Sequence, residues 1–264
     1  MSLLEFQRAL ADLAASPQLC RELRAEAGPV LDRWRLDPRE RTRVEAAVRH
    51  PGWVVNCTLW RANRLGPIYT LLSRSCYLLG DRFRDEVERF WTLHPRPDFM
   101  TRREVPRFGA FLHERLRSGG LRDPYLDEVL TFELAFFELG LLPRRQIAAE
   151  TEEAMEAFPG TPLRLHPLVR VIRFSHDPAP LLDVLRRFQP VPADLAAGEF
   201  YLVVDGRQAE ERQMGTLPPP LGRRLHDIAA GGSVADGSDE EARLVRPGLA
   251  VPDLAPISTE AIAV

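Results

Sequence analysis

The sequence predicts an α+β protein: a helical N-terminal domain over residues 1–158, then a small α+β domain with a short antiparallel sheet over 159–264. Three observations predict it. Apolar residues recur at helical spacing through the first half. The period changes near Phe158-Pro159-Gly160, where LHPLVRVIRFSHD begins to read as a strand. Asp205-Gly206 then punctuates GEFYLVVDGRQAEERQMG as a hairpin.

Each helical element carries its own signals. Leu3, Leu4, Phe6, Leu10 and Leu13 fall on one face, and Ser2 with Glu5 forms a capping-box pattern. Ser16-Pro17 ends that helix and opens the next, over about Gln18–Arg24. Asp37-Pro38 starts another, which runs to about His50 and stops at Pro51-Gly52. The segment from Val54 to Gly80 reads as helical with a break near Gly66-Pro67. Phe83, Val87, Phe90 and Trp91 form an apolar stripe. A further helix is expected from Pro106. Another follows the Asp123-Pro124 cap, with Leu126, Val129, Leu130, Leu134 and Phe137 on its buried side.

In the second domain Leu168, Val169, Val171, Ile172 and Phe174 predict a strand. Pro180–Phe188 predicts a short helix capped by Asp177-Pro178, and Leu221–Ala230 a second one ending at Gly231-Gly232. The tail from Leu249, rich in proline and small residues, is expected to be irregular.

Composition narrows the function classes. With 45% apolar and 28% charged residues over 264 positions, the chain is long enough to bury a core without metals or disulfides. No apolar window is long enough for a membrane span, and MSLLEFQRALADL lacks the order of a secretory signal, so a cytoplasmic location is expected. All basic residues are arginine, which suits polar interfaces. A net charge of −3 makes nucleic acid an unlikely partner. Cys20, Cys57 and Cys76 form no CxxC pair and read as reduced structural thiols.

No nucleotide-binding, esterase or zinc signature is present, so no catalytic residue, metal ligand or cofactor is assigned to this chain. His166, His176 and Asp177 do not have convergent metal-site spacing, and Asp177 is better explained as a helix cap. Glu128 and Glu133 sit in an apolar helix, where one of them needs an arginine, with Arg61 or Arg64 as candidates. A hairpin followed by a helix resembles a winged helix in outline, and makes a DNA-binding regulator the alternative reading. Glu199, Asp205, Glu210, Glu211 and Asp227 nonetheless offset Arg207, Arg212, Arg223 and Arg224. A short sheet with an open edge better suits capture of an extended peptide. Val169, Val171, Phe200, Leu202 and Val204 are the expected peptide-binding residues.

RHPG at Arg49–Gly52, RANR at Arg61–Arg64, CYLLGDRF at Cys76–Phe83 and the following Phe90-Trp91 resemble the N-terminal domain shared by HvfC-, BufC-, MbnC- and TglI-type proteins. LHPLVRVIRFSHD resembles that family's entry into its second domain, and the likeness spans most of residues 3–230. The resemblance implies a non-catalytic subunit in a heterodimer with a multinuclear non-haem iron enzyme of barrel fold. Such enzymes modify cysteines in ribosomal precursor peptides, as on the methanobactin and 3-thiaglutamate routes. The iron would belong to the enzyme. The second domain would resemble a leader-peptide recognition element. Arg61, Asn63, Arg64 and Tyr69 are then the expected partner-binding residues.

Overall fold

The computed structural model describes residues 3–95, 101–143, 145, 147, 163–207, 212–231 and 249–252. It has an α+β fold, predominantly helical, with a small three-stranded antiparallel sheet. The chain divides into two compact units, Met1–Ser73 with Gly80–Arg115, and Arg74–Leu79 with Leu116–Val264.

Unit one holds α1 (Leu3–Ala15), α2 (Pro17–Ala25), α3 (Ala27–Leu31), α4 (Pro38–Arg49) and α5 (Trp53–Leu71). It also holds α7 (Arg82–Leu93) and α8 (Thr101–Arg117) up to Arg115. The proline starts behave as expected. Ser16 accepts the Leu19 N–H at 3.1 Å, and Asp37 with Glu40 closes a full capping box. One core joins Leu13, Leu23, Val44 and Val48, each fully buried. Leu3 and Leu4 do not join it. They are exposed, and the buried face of α1 is Ala9, Leu13 and Ala14. The Ser2 cap lies outside the described residues. Phe90 packs edge-on against Phe108 at 5.2 Å, making the contact between α7 and α8.

Two expected helix boundaries are corrected. α5 continues through Gly66-Pro67 to Leu71, with Leu72 as its C-cap. Pro67 lacks the N–H that would meet the Asn63 carbonyl, and Asn63 is an exposed residue, where a lost helix bond costs least. α8 begins at Thr101 rather than at Pro106, which sits inside it.

Unit two holds α6 (Ser73–Leu79, from Arg74) and α9 (Leu126–Leu141), with Asp123 accepting the Tyr125 and Leu126 N–H groups at 3.1 and 3.0 Å. Then come β1 (Leu163–Leu165), β2 (Val169–His176), α10 (Pro178–Arg186), β3 (Ala197–Asp205), β4 (Gln213–Leu217), α11 (Pro219–Ala229) and β5 (Ala250–Pro252). The main sheet has the order β2-β3-β4, with Ile172 opposite Leu202 and Leu202 opposite Thr216. One face buries Ile172, Phe174, Leu202 and Val204 beneath α9 and α10. The other buries Val169, Val171 and Tyr201 beneath Leu225 and Ile228 of α11. Gly222 permits that approach, because a Cβ there would overlap Tyr201 Cβ and Cγ.

The tail is not wholly irregular: Ala250–Pro252 pairs antiparallel with β1. Asp205-Gly206 is not a two-residue hairpin turn. Asp205 pairs with Gln213, while the Gly206 N–H bonds Leu168 O at 2.8 Å and prolongs the contact with β2. The expected boundary at 158–159 falls outside the described residues. Contacts place α9 with the sheet, because its Val129, Phe132 and Leu139 cover the sheet face that α10 is too short to bury alone.

Candidate functional site

The outer strand β4 has an open edge in unit two. Among the described residues it pairs only with β3, which leaves one row of backbone groups facing outward. The sheet's other outer strand, β2, is less open: the Ser175 N–H is taken by Glu128 Oε1 at 2.7 Å. Alternation puts Met214 and Thr216 on the same face as Leu202, turned toward α10. Both are exposed, Met214 by 55%. Between β4 and α10 lies a groove of about 380 Å³, floored by Phe132, Leu182 and Leu202 and flanked by Met214 and Thr216. A volume of this order suits side chains of a bound segment.

Arg74 closes one end of the groove. Its guanidinium lies 5.7 Å from the Phe132 ring centre and 3.5 Å from Glu133. Glu133 is the buried carboxylate of α9, and it meets Arg74 rather than Arg61 or Arg64. Its oxygens accept the Arg74 and Ser75 N–H groups at 2.9 Å each and the Ser75 hydroxyl at 2.8 Å. It therefore caps α6 from across the fold. Burial pushes its pKa up, and those hydrogen bonds and Arg74 pull against the rise.

The expected peptide-binding residues are placed inside the domain. β3 is central and bonded on both sides, so Phe200, Leu202 and Val204 offer no strand edge. Val204 is fully buried and Leu202 is 5% exposed, though Leu202 also reaches the groove floor. Val169 and Val171 lie under α11. Met214 and Thr216, which flank the groove, were not singled out by sequence reasoning. A five-residue strand split by Gly215 carries too little alternation to stand out from a loop.

In unit one the expected partner-binding residues separate by helical face. Arg61 turns to α7, forking Glu88 with two 2.9 Å bonds and lying 5.1 Å from the Trp91 ring centre. Arg64 is buried. It bonds Glu104 Oε1 at 2.7 Å and His94 O at 3.0 Å, and its charge lies over Phe90 and Trp91. Burial pulls the Arg64 pKa down, and Glu104 opposes the fall. Asn63 and Tyr69 instead lie on the outer face with Val54, Val55, Leu59 and Thr70. Arg61 and Arg64 are the only charged residues of α5, so the exposed face of this 19-residue helix carries no charge. The signal was legible as Val54, Val55 and Leu59, which share the exposed side with Tyr69.

Among the described residues no cluster of three or more His, Cys, Asp or Glu side chains is placed to hold a metal ion. His166 is buried, and its Nδ1 accepts the Leu168 N–H at 3.0 Å. Asp177 caps α10 through the Ala179 N–H at 3.0 Å, as expected. Arg207 pairs with Asp205 at 2.6 Å and Arg223 with Glu199, so two of the four arginines considered for phosphate are already matched by carboxylates. Among the described residues no helix is long and apolar enough to cross a membrane. The chain matches no protein-family model and no curated protein.

Proposed function

We propose that this chain is a non-catalytic partner subunit that holds a ribosomal precursor peptide and presents it to an iron-dependent oxidative enzyme in a heterodimer. The observation that carries the reading is the open β4 edge beside an apolar groove. An extended segment added antiparallel to β4 would satisfy the outward backbone groups. Its alternate side chains would enter between Met214, Thr216 and α10. Affinity would come from the main chain and selectivity from the groove.

The uncharged face of α5 supports the second half of the reading. At about 1.5 Å per residue the helix offers a strip about 28 Å long, which suits a protein interface with few charges at its centre. The partner enzyme is its proposed occupant, and the iron belongs to that enzyme. Arg61, Arg64 and Glu104 act behind this face by holding α5 to α7 and α8. Specific ion pairing of Arg207 and Arg223 leaves the DNA-binding alternative without a comparable observation.

The test is co-expression with a multinuclear non-haem iron enzyme and a cysteine-bearing precursor peptide, taken from genes neighbouring this one. The reading expects one peak containing both chains on size exclusion, and modification of the peptide only when both are present. Separate elution, with the enzyme modifying its peptide alone, would end it.

A further inference from the structure

Two of the three thiols, from different helices, converge within unit one. Cys20 lies on α2 and Cys57 on α5. The Cys20 Sγ donates to Leu13 O at 2.9 Å, and the Cys57 Sγ lies 4.0 Å from the same oxygen. The Trp53 indole N–H donates to Cys20 Sγ at 3.2 Å. Cys20 is 5% and Cys57 8% exposed, so the pair is sealed by helices α1, α2 and α5.

We propose that Cys20 and Cys57 form a reversible disulfide within the chain, with a hydroperoxide as the oxidant. Both sulfurs already point at one carbonyl oxygen. A disulfide needs the sulfurs about 2.05 Å apart, so its formation requires the side chains to turn from Leu13 O toward each other. Cys20, whose sulfur accepts the Trp53 N–H, is the attacking sulfur. Cys57 is the resolving thiol. Burial, with Cys20 beside it, pushes its pKa up to about 11, so it stays protonated until it reacts.

The step balances with one hydroperoxide. In the case of hydrogen peroxide, Cys20 sulfur takes one oxygen as the O–O bond breaks, and the other oxygen leaves as water with the thiol proton. The product is a sulfenic acid. Cys57 sulfur then attacks that sulfur, the S–O bond breaks, and a second water leaves with the Cys57 proton. Two thiols lose two electrons in all, and one peroxide gains them. A small oxidant suits a site this closed, and brief local opening of α2 sets its entry. The bond would tie α2 to α5 across the core of unit one. Cys76 belongs to unit two and is buried, so it serves as an internal control.

The experiment exposes the full chain to hydrogen peroxide, removes the peroxide with catalase, and unfolds the protein in maleimide before peptide mapping. The expected result is a Cys20–Cys57 link that resists maleimide and is released by dithiothreitol, with Cys76 alkylated. The Cys57→Ser variant should instead accumulate a dimedone adduct at Cys20 that the wild type lacks. Three alkylated thiols after peroxide overturn the proposal. So does a link to Cys76, or equal dimedone trapping in both proteins. The wild-type map decides by itself should Cys57→Ser fail to fold.

Discussion

Replacing Arg64 by methionine keeps an unbranched apolar stem and removes the guanidinium with its charge. Arg64 and Glu104 have side-chain exposures of 3% and 2%, with N–O distances of 2.6 and 2.7 Å. The substitution would leave the Glu104 carboxylate buried without the arginine that forks it, while Arg107 lies 3.8 Å away. It would also orphan the His94 carbonyl that Arg64 serves. Breaking one side of a buried pair costs about 3–5 kcal/mol. For a unit of this size, with a urea slope of about 2 kcal/mol/M, that is a fall in midpoint of about 1.5–2.5 M. The assay is tryptophan fluorescence, because Trp34, Trp53, Trp60 and Trp91 are the chain's four tryptophans and all lie in unit one. The double variant Arg64→Met/Glu104→Leu removes both charges and should recover most of the loss, since an apolar replacement of a buried pair is often neutral. If Arg64→Met alone leaves the midpoint within about 0.3 M of wild type, the pair is not the strut described. A double variant as unstable as the single one would show that packing, not the stranded charge, set the loss. Weaker partner binding in any Arg64 variant is then a consequence of a loosened unit rather than of a lost contact.

Four further outcomes follow from the geometry. His166 is held down to about 4, first by burial and then by Arg207, with Asp205 opposing. Its ordinary value is about 6.5, so the unfolded chain takes the proton first. Its contribution is whole above that value and is lost as pH falls from about 6.5 to 4, amounting to about 3 kcal/mol. His166→Asn keeps an acceptor for the Leu168 N–H without titrating, and should flatten that dependence in unfolding followed by circular dichroism. Gly222→Ala should cost about 1–3 kcal/mol by the same assay, because the new methyl overlaps Tyr201 atoms next to the backbone. Leu59→Arg, at a position 55% exposed, should leave the fluorescence midpoint within about 0.5 kcal/mol of wild type. It should nonetheless abolish co-purification with the partner enzyme. Met214→Arg should likewise spare stability but weaken precursor-peptide binding at least about tenfold by calorimetry. An unchanged affinity would move the peptide away from β4.

The proposed division of labour rests on two surfaces that differ in kind. One is an open main-chain edge, which accepts a range of extended segments through the hydrogen bonds every residue carries. The other is a helix face without charge in a chain whose residues are 28% charged. The buried polar side chains near them, Arg64, Glu104 and Glu133, are engaged in holding helices together.

The sequence by itself determined the α+β class and most of the helix starts. Those are local matters: Ser16, Asp37, Asp123 and Asp177 each accept backbone N–H groups two or three residues ahead, so the signal and its effect lie side by side in the chain. It also determined the alternation along β2 and β3, because a period of two fixes which side chains share a face. Only the tertiary structure decided which of those faces were core. Val169, Val204 and Leu202 read equally well as a peptide-binding surface until α9, α10 and α11 cover them. Pairings between distant residues were also beyond the sequence. Glu133 takes Arg74, and Arg64 takes Glu104, because packing brings together side chains far apart in the chain, and charge alone does not choose among many arginines. The same holds for the strand edge. That β4 lies outermost beside α10 follows from the order β2-β3-β4, which is a property of how strands meet and not of any one strand's residues.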